Sequence, residues 1–229
     1  YGQYQEAVVA IVPLMVTLKD RDSRVRKSAA LALVRFGKAE LIPILSEVII
    51  RDPYFTKAYW LRAFTYLKQG SKQHKQAELD FRYCYEKNPT DINVGWMAEW
   101  CALSEVEPTA DLSARLEELA AGNKYDRYNR YIGLVCRSVA ALVRHDYQEA
   151  RRLATEVVSL VETFWDGYFW LAMAHAYLGE FRLCMQNLDE AMRLEDPIPT
   201  GLLFPLAWLE KAQPTFYLKK ILPWWNKYR

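Results

Sequence analysis

The stretch that most constrains this chain runs from residue 164 to residue 197. Tyr168, Leu171, Ala172 and His175 recur there at helical spacing, and after Gly179 so do Phe181, Cys184, Leu188 and Ala191. Residues at i, i+3, i+4 and i+7 share one stripe of an α-helix. Gly179 tolerates the left-handed backbone that stops the first helix. Asp196-Pro197 stops the second, because proline disfavours helix in the residue before it. Two helices joined by so short a turn lie antiparallel. Ala172 and Ala191 are small enough to let the two backbones approach closely. Such a hairpin keeps an apolar flank that it cannot bury alone, so it must stack on a neighbour.

Weaker copies lie upstream. Tyr59, Arg62-Ala63, Tyr66 and Gly70 are followed by Ala77, Phe81, Cys84 and Pro89. Segments 91–103 and 111–121 form a degenerate pair, with Trp96, Trp100 and Leu103 on one face and Leu112, Leu116 and Leu119 on the other. Thr109 can cap the second of these helices and Gly122 can end it. Segments 128–144 and 147–161 form the next pair, with Ala150 and Ala154 where the helices meet. Segments 201–211 and 214–228 read as a closing pair, for which Lys219, Lys220, Lys227 and Arg229 supply a solvated face.

The order of large residue, Leu-small, mid-repeat Gly, then small, large, small and a late Pro resembles the tetratricopeptide repeat. Tyr168, Leu171-Ala172, Gly179, Cys184, Leu188 and Ala191 take those places. His175 departs from the usual aromatic, Pro197 comes one residue late, and Arg62 stands where Leu is usual. The turn at 71–76 is about two residues longer than the family's.

A different unit precedes these. Val12-Pro13-Leu14-Met15 maps onto Ile42-Pro43-Ile44-Leu45, and Arg21-Asp22 onto Arg51-Asp52. The first copy is similar to a HEAT repeat: a Pro-kinked helix, an Asp-bearing turn, then Val25-Arg26, Ala29-Ala30 and Ala32-Leu33. The expected fold is therefore all-α, a right-handed α-solenoid of antiparallel pairs with about 12–13 helices. It is HEAT-like over 1–55 and tetratricopeptide-like with capping helices over 56–229, in one continuous stack. Helix 55–68 is expected to end one repeat type and begin the other.

Composition supports a packed chain. It is 52% hydrophobic and 14% aromatic, with 9 Gly and 10 Pro in 229 residues, which is not the composition of a disordered segment. A net charge of +2 gives no global pull toward nucleic acid or anionic membrane. Cys84, Cys101, Cys136 and Cys184 lack metal-type spacing and read as buried free thiols in a reducing compartment. No apolar run has the length of a membrane span. The chain begins at Tyr1 and reads as a segment of a larger cytoplasmic protein.

Catalytic constellations are absent from the sequence. His74 and His145 fall in turns, where exposure is expected, and His175 at a core position. No nucleophile elbow, phosphate loop, dinucleotide fingerprint or zinc helix appears. Adjacent acids such as Glu117-Glu118 point apart on a helix. No enzyme activity, cofactor or metal is expected.

Binding is the expected role. In tetratricopeptide stacks the first helix of each pair lines the concave face. The candidate contacts there are Trp60, Phe64, Trp96, Trp100, Phe169, Trp170 and Met173, with Val135 and Val139 between. Lys and Asn, which grip acidic tails in some relatives of that family, are missing from these positions. An aromatic groove suits an apolar helix, a peptide or a neighbouring domain, since rigid rings dominate interface energies. Equally, a tight superhelix would bury the same rings against one another. The resemblance implies a protein-interaction module, a sensor or scaffold; by architecture it is similar to the repeat arrays that end bacterial STAND-type signalling proteins. A second reading is nucleic-acid binding through basic ends. Residues 19–38 hold seven Lys/Arg and two Asp, and 211–229 hold five and no acid, beside Trp224-Trp225.

Overall fold

Helix after helix follows in the computed structural model, which describes residues 13–14, 16–17, 20–22, 25, 29, 32, 39, 41–103, 110–122, 127–194 and 200–227. No strand occurs among them. The first expected pair, over 4–36, lies almost wholly outside the described residues, as do Thr109 and Arg229. The chain forms two units, residues 1–88 and 89–229.

In the first unit, α1 (Leu41–Arg51), α2 (Thr56–Lys68) and α3 (His74–Lys87) pack in sequence order, so α2 touches both neighbours. Leu41, Leu45, Ile49, Ala58 and Leu61 form one buried seam, with Phe55, Tyr59 and Trp60 against it. Ala77, Phe81 and Cys84 are the inward stripe of α3. A single 3-10 turn, Ser71–Gln73, fills the long connection after Gly70. Gly70 has φ +95°, which costs a glycine little and a side-chain residue much.

In the second unit, the pairs are α4 (Ile92–Leu103) with α5 (Ala110–Ala121), α6 (Arg127–Val143) with α7 (Tyr147–Leu160), and α8 (Trp165–Tyr177) with α9 (Phe181–Leu194). Each pair packs on the next: α5 on α6, α7 on α8, and α6 on both α4 and α8. This is the all-α, adjacent-pair arrangement of a tetratricopeptide-like solenoid. Ala150, Ala154, Ala172 and Ala191 are buried where the helices meet. Gly167 is needed for close approach, since a Cβ there would lie 2.9 Å from Val157 Cγ1.

The turns after α6 and α8 share one geometry. Asp146 N–H donates to Ala141 O and Glu180 N–H to His175 O, both at 2.9 Å. Such six-to-one bonds close a helix through one left-handed residue. That residue is Gly179 at φ +75° after α8 and His145 at φ 63° after α6. Asp146 then caps α7 by accepting from Glu149 N–H.

The closing pair differs from the expected helix over 201–211. Thr200–Ala207 is a 3-10 segment and only α10 (Trp208–Ala212) is α-helical. Pro205 lies inside it, lacks an N–H and cannot sit in an α-helix interior without a clash. After it, Pro214–Phe216, a π turn Tyr217–Ile221 and Leu222–Lys227 run on without a break. The wider turn lies just before Pro223, which has no N–H to offer the Lys219 carbonyl. Phe216 stacks on Phe181 at 4.2 Å between ring centres, and Trp224 Nε1 donates to Asp189 at 2.8 Å. These contacts hold the closing helix on α9, while Lys219, Lys220 and Lys227 are exposed.

Candidate functional site: an aromatic face on α4 and α8

α4 and α8 are apolar around most of their circumference, so each can bury one flank in its own pair and still present rings on another. In α4 the two rings are one turn apart: Trp96 and Trp100 meet edge to face at 5.4 Å. In α8, Phe169 and Trp170 meet edge to face at 5.3 Å. The two helices belong to different pairs, yet Trp170 reaches Trp96 at 6.2 Å and Trp100 at 5.3 Å. Edge-to-face rings at these separations are attractive beyond their burial, by roughly 0.5–1.5 kcal/mol each.

A separate segment supplies two more rings. Phe204 lies edge-on to Trp100 at 5.7 Å, and Trp208 lies tilted on Trp170 at 6.2 Å. Phe204 and Trp208 also touch each other, at 6.3 Å. The result is a continuous ring cluster within this unit.

Of the seven candidate contacts, five are interior. Trp96 and Trp100 are 3% exposed, Trp170 1%, and Phe169 and Met173 are fully buried. Val135 and Val139 of α6 are fully buried too. The tight-superhelix alternative therefore describes this unit, and these rings face one another and the 200–208 segment rather than solvent. Trp60 and Phe64, in the other unit, are half-buried. They meet at 4.4 Å, with the Lys57 ammonium 5.2 Å from the Trp60 ring centre.

Two polar atoms in the cluster stand out. Trp100 Nε1 and Trp170 Nε1 are buried and have no hydrogen-bond partner among the described residues. A desolvated donor left unpaired costs about 1–3 kcal/mol. Nothing in the sequence signals this, because pairing depends on what lies opposite each indole.

Asp166 opens the first turn of α8, one turn before Trp170. Its carboxylate accepts from Gly167 N–H at 3.1 Å, and no described cation pairs with it. Burial pushes its pKa up to about 7, against the pull of the backbone N–H groups. A carboxyl whose pKa rises on folding stabilises the fold where it is protonated. That contribution is complete below about pH 4 and is lost as pH climbs through about 7. Glu149, Glu180 and Glu190 act in the opposite sense, since Arg152, His175 and Arg193 hold their carboxyls low. The difference between chains isolates Asp166. Between about pH 5 and pH 8, the wild-type Tm should fall relative to that of Asp166→Asn. Parallel Tm–pH curves for the two chains would refute this.

Two of the three histidines, His74 and His175, serve packing. His74 is fully buried as the first residue of α3, not exposed in a turn as its place between helices suggests, and burial depresses its pKa. His145 is exposed, with Nδ1 2.8 Å from Tyr147 Oη. His175 is buried with Nδ1 2.5 Å from Glu180 Oε2, the packed and hydrogen-bonded role expected of it. All four cysteines are buried, and burial pushes the Cys184 thiol up to about 12 and Cys136 further.

The charged groups tie helices together. Arg115 bridges to Glu99 and Asp111, Arg144 to Glu117, Arg130 to Glu156, and Arg151 to Glu180. No group of three or more metal-ligating side chains gathers among the described residues. None of the described helices is long and apolar enough to cross a membrane. Trp224 and Trp225, proposed above as stacking rings beside the basic end, are buried.

No protein-family model matches the chain, and no curated protein matches it. Among solved structures it is similar to one described as "MamA MSR-1 C2", at 15% identity and a TM-score of 0.45, over 74% of this chain and 94% of that one. The fold assignment rests on the helix pairing described above.

Proposed function

We propose that this chain is a non-catalytic protein-interaction module, a sensor or scaffold segment that binds a peptide, a helix or a neighbouring domain through the aromatic faces of its first helices. The observation that carries this reading is the ring cluster of α4 and α8, which accepts two rings from a chain segment outside the helix pairs. A face that seats Phe204 and Trp208 has the chemistry to seat an aromatic segment of another protein. Trp60 and Phe64 give the other unit a similar, partly open ring pair. The described ionisable groups support the non-catalytic part, because many are spent on ion pairs between or along helices. In this reading residues 1–55 are HEAT-like and 56–229 tetratricopeptide-like, within a larger signalling protein of the cytoplasm.

The test uses the half-buried pair, which is less enclosed than the α4–α8 rings. The whole chain and its Trp60→Ala/Phe64→Ala variant are immobilised, matched for helicity by circular dichroism, and used to capture crosslinked proteins from the parent cell. Proteins retained by the wild type and lost by the variant are expected. Equal recovery by both would count against aromatic recognition in this part of the chain.

A further inference from the structure

Resting on that reading, we propose that residues 200–212 are a built-in, displaceable occupant of the α4–α8 aromatic face. The external partner is then a short helix with two large rings one turn apart and a hydrogen-bond acceptor for the Trp100 and Trp170 indoles.

Phe204 lies in the 3-10 stretch and Trp208 begins α10 four residues on, and their rings touch at 6.3 Å. Each lands on a different helix of the face, Phe204 on α4 and Trp208 on α8. That is how an amphipathic helix sits in an apolar groove, through anchors at i and i+4.

The segment is seated unevenly: Leu203, Leu206 and Leu209 are buried, yet its two rings are not. Phe204 and Trp208 are only half-buried, although the rings beneath them are nearly or wholly covered. Ala207, Glu210, Lys211 and Ala212 are exposed, so one flank of the segment faces solvent. Its backbone is weak as well: eight residues of 3-10 geometry that contain Pro205, then an α-helix of five residues. Such a segment opens more readily than a fully packed helix.

The unpaired indoles say what the occupant lacks. Trp100 and Trp170 are the two rings that Phe204 and Trp208 cover, and each holds a buried N–H with no acceptor. Pro205 lacks an N–H, and the segment brings no acceptor to either indole. A ligand that placed a carbonyl, amide or carboxylate oxygen there would regain the hydrogen bonds that the resident segment leaves unmade. Tethering compensates for the poorer match, since a segment on a short linker presents an effective concentration of about millimolar. The face is thereby shielded from weak aromatic segments and yields to a better one.

The probe is a fluorescein-labelled synthetic peptide copying residues 200–212, followed by anisotropy against the whole chain and its Phe204→Ala/Trp208→Ala variant. The variant, checked for cooperative melting, should bind at least about tenfold more tightly than the wild type. A peptide with alanine at both ring positions should bind neither. A well-folded variant that binds no better than the wild type would overturn the proposal, and so would a variant that answers by forming dimers, which would make a second copy the occupant. Hydrogen exchange on the wild type decides the matter if the variant fails to fold. Amides of 203–212 should exchange at least about tenfold faster than those of α8, and matched protection would mark the segment as permanent core. Failure here removes the α4–α8 face from the interaction-module reading and leaves its Trp60–Phe64 part, which is tested separately.

Discussion

Trp170→Ala should destabilise the second unit by about 3–5 kcal/mol, as large aromatic truncations in a core do. The ring is 1% exposed and meets Trp96, Trp100, Phe169 and Trp208. Those neighbours come from three separate elements, so no single side-chain shift refills the space. Trp170→Phe should behave differently. The smaller ring loses some packing, but the change also removes an N–H with no partner, whose burial costs about 1–3 kcal/mol. The two effects nearly cancel, and the phenylalanine chain should lie within about 1 kcal/mol of wild type. Urea unfolding followed by far-ultraviolet circular dichroism gives both values. A phenylalanine variant as damaged as the alanine one would mean that the indole N–H is satisfied after all. An alanine variant within 1 kcal/mol of wild type would mean that the cluster is not the core of this unit.

Much of this architecture is legible in the sequence because helix pairing is a local matter. The stripe of Tyr168, Leu171, Ala172 and His175, the stop at Gly179 and the second stripe of Phe181, Cys184, Leu188 and Ala191 are all set within one hairpin. The stripe residues are buried as expected except Tyr168, which is half-buried, and Phe181, which is exposed beside Phe216. What the sequence hides is what happens between hairpins. Spacing places Trp96, Trp100 and Trp170 on the same kind of face, but the approach of α4 to α8 depends on how tightly successive pairs turn, and no single repeat encodes that. The 200–208 segment is hidden for another reason: Pro205 overrides an apolar pattern that otherwise reads as a helix. Arg62 is half legible. The sequence shows it standing where the family has Leu, but not the acid that makes the replacement possible.

That acid is Asp80, and separating the two should be the most damaging change in the first unit. Arg62 of α2 donates from Nε and Nη2 to the two carboxylate oxygens of Asp80 on α3, both at 2.8 Å, and from Nη1 to Ser46 Oγ on α1 at 2.9 Å. One side chain thus joins three helices, with the Tyr59 and Tyr66 rings beside its guanidinium. Asp80 is 5% exposed. Burial pushes its pKa up and Arg62 draws it back only in part, so the net shift is upward. Arg62→Ala would leave a buried carboxylate unpaired, at a cost of about 3–5 kcal/mol near neutral pH. The sign with pH follows from the raised pKa. Once Arg62 is gone, Asp80 titrates higher still, so the variant should recover stability as pH falls and the carboxyl is protonated. Its deficit relative to wild type should therefore be smaller at about pH 5 than at about pH 8. Replacing both partners, Arg62→Met with Asp80→Leu, removes the charge along with its counterion and should restore most of the loss. Ser46 is not stranded by this, since its hydroxyl also lies 2.7 Å from Ile42 O. Urea titrations of the three chains at both pH values supply the comparison. A double variant as unstable as Arg62→Ala would show that the guanidinium's own packing between the tyrosines, rather than its pairing with Asp80, holds these helices together.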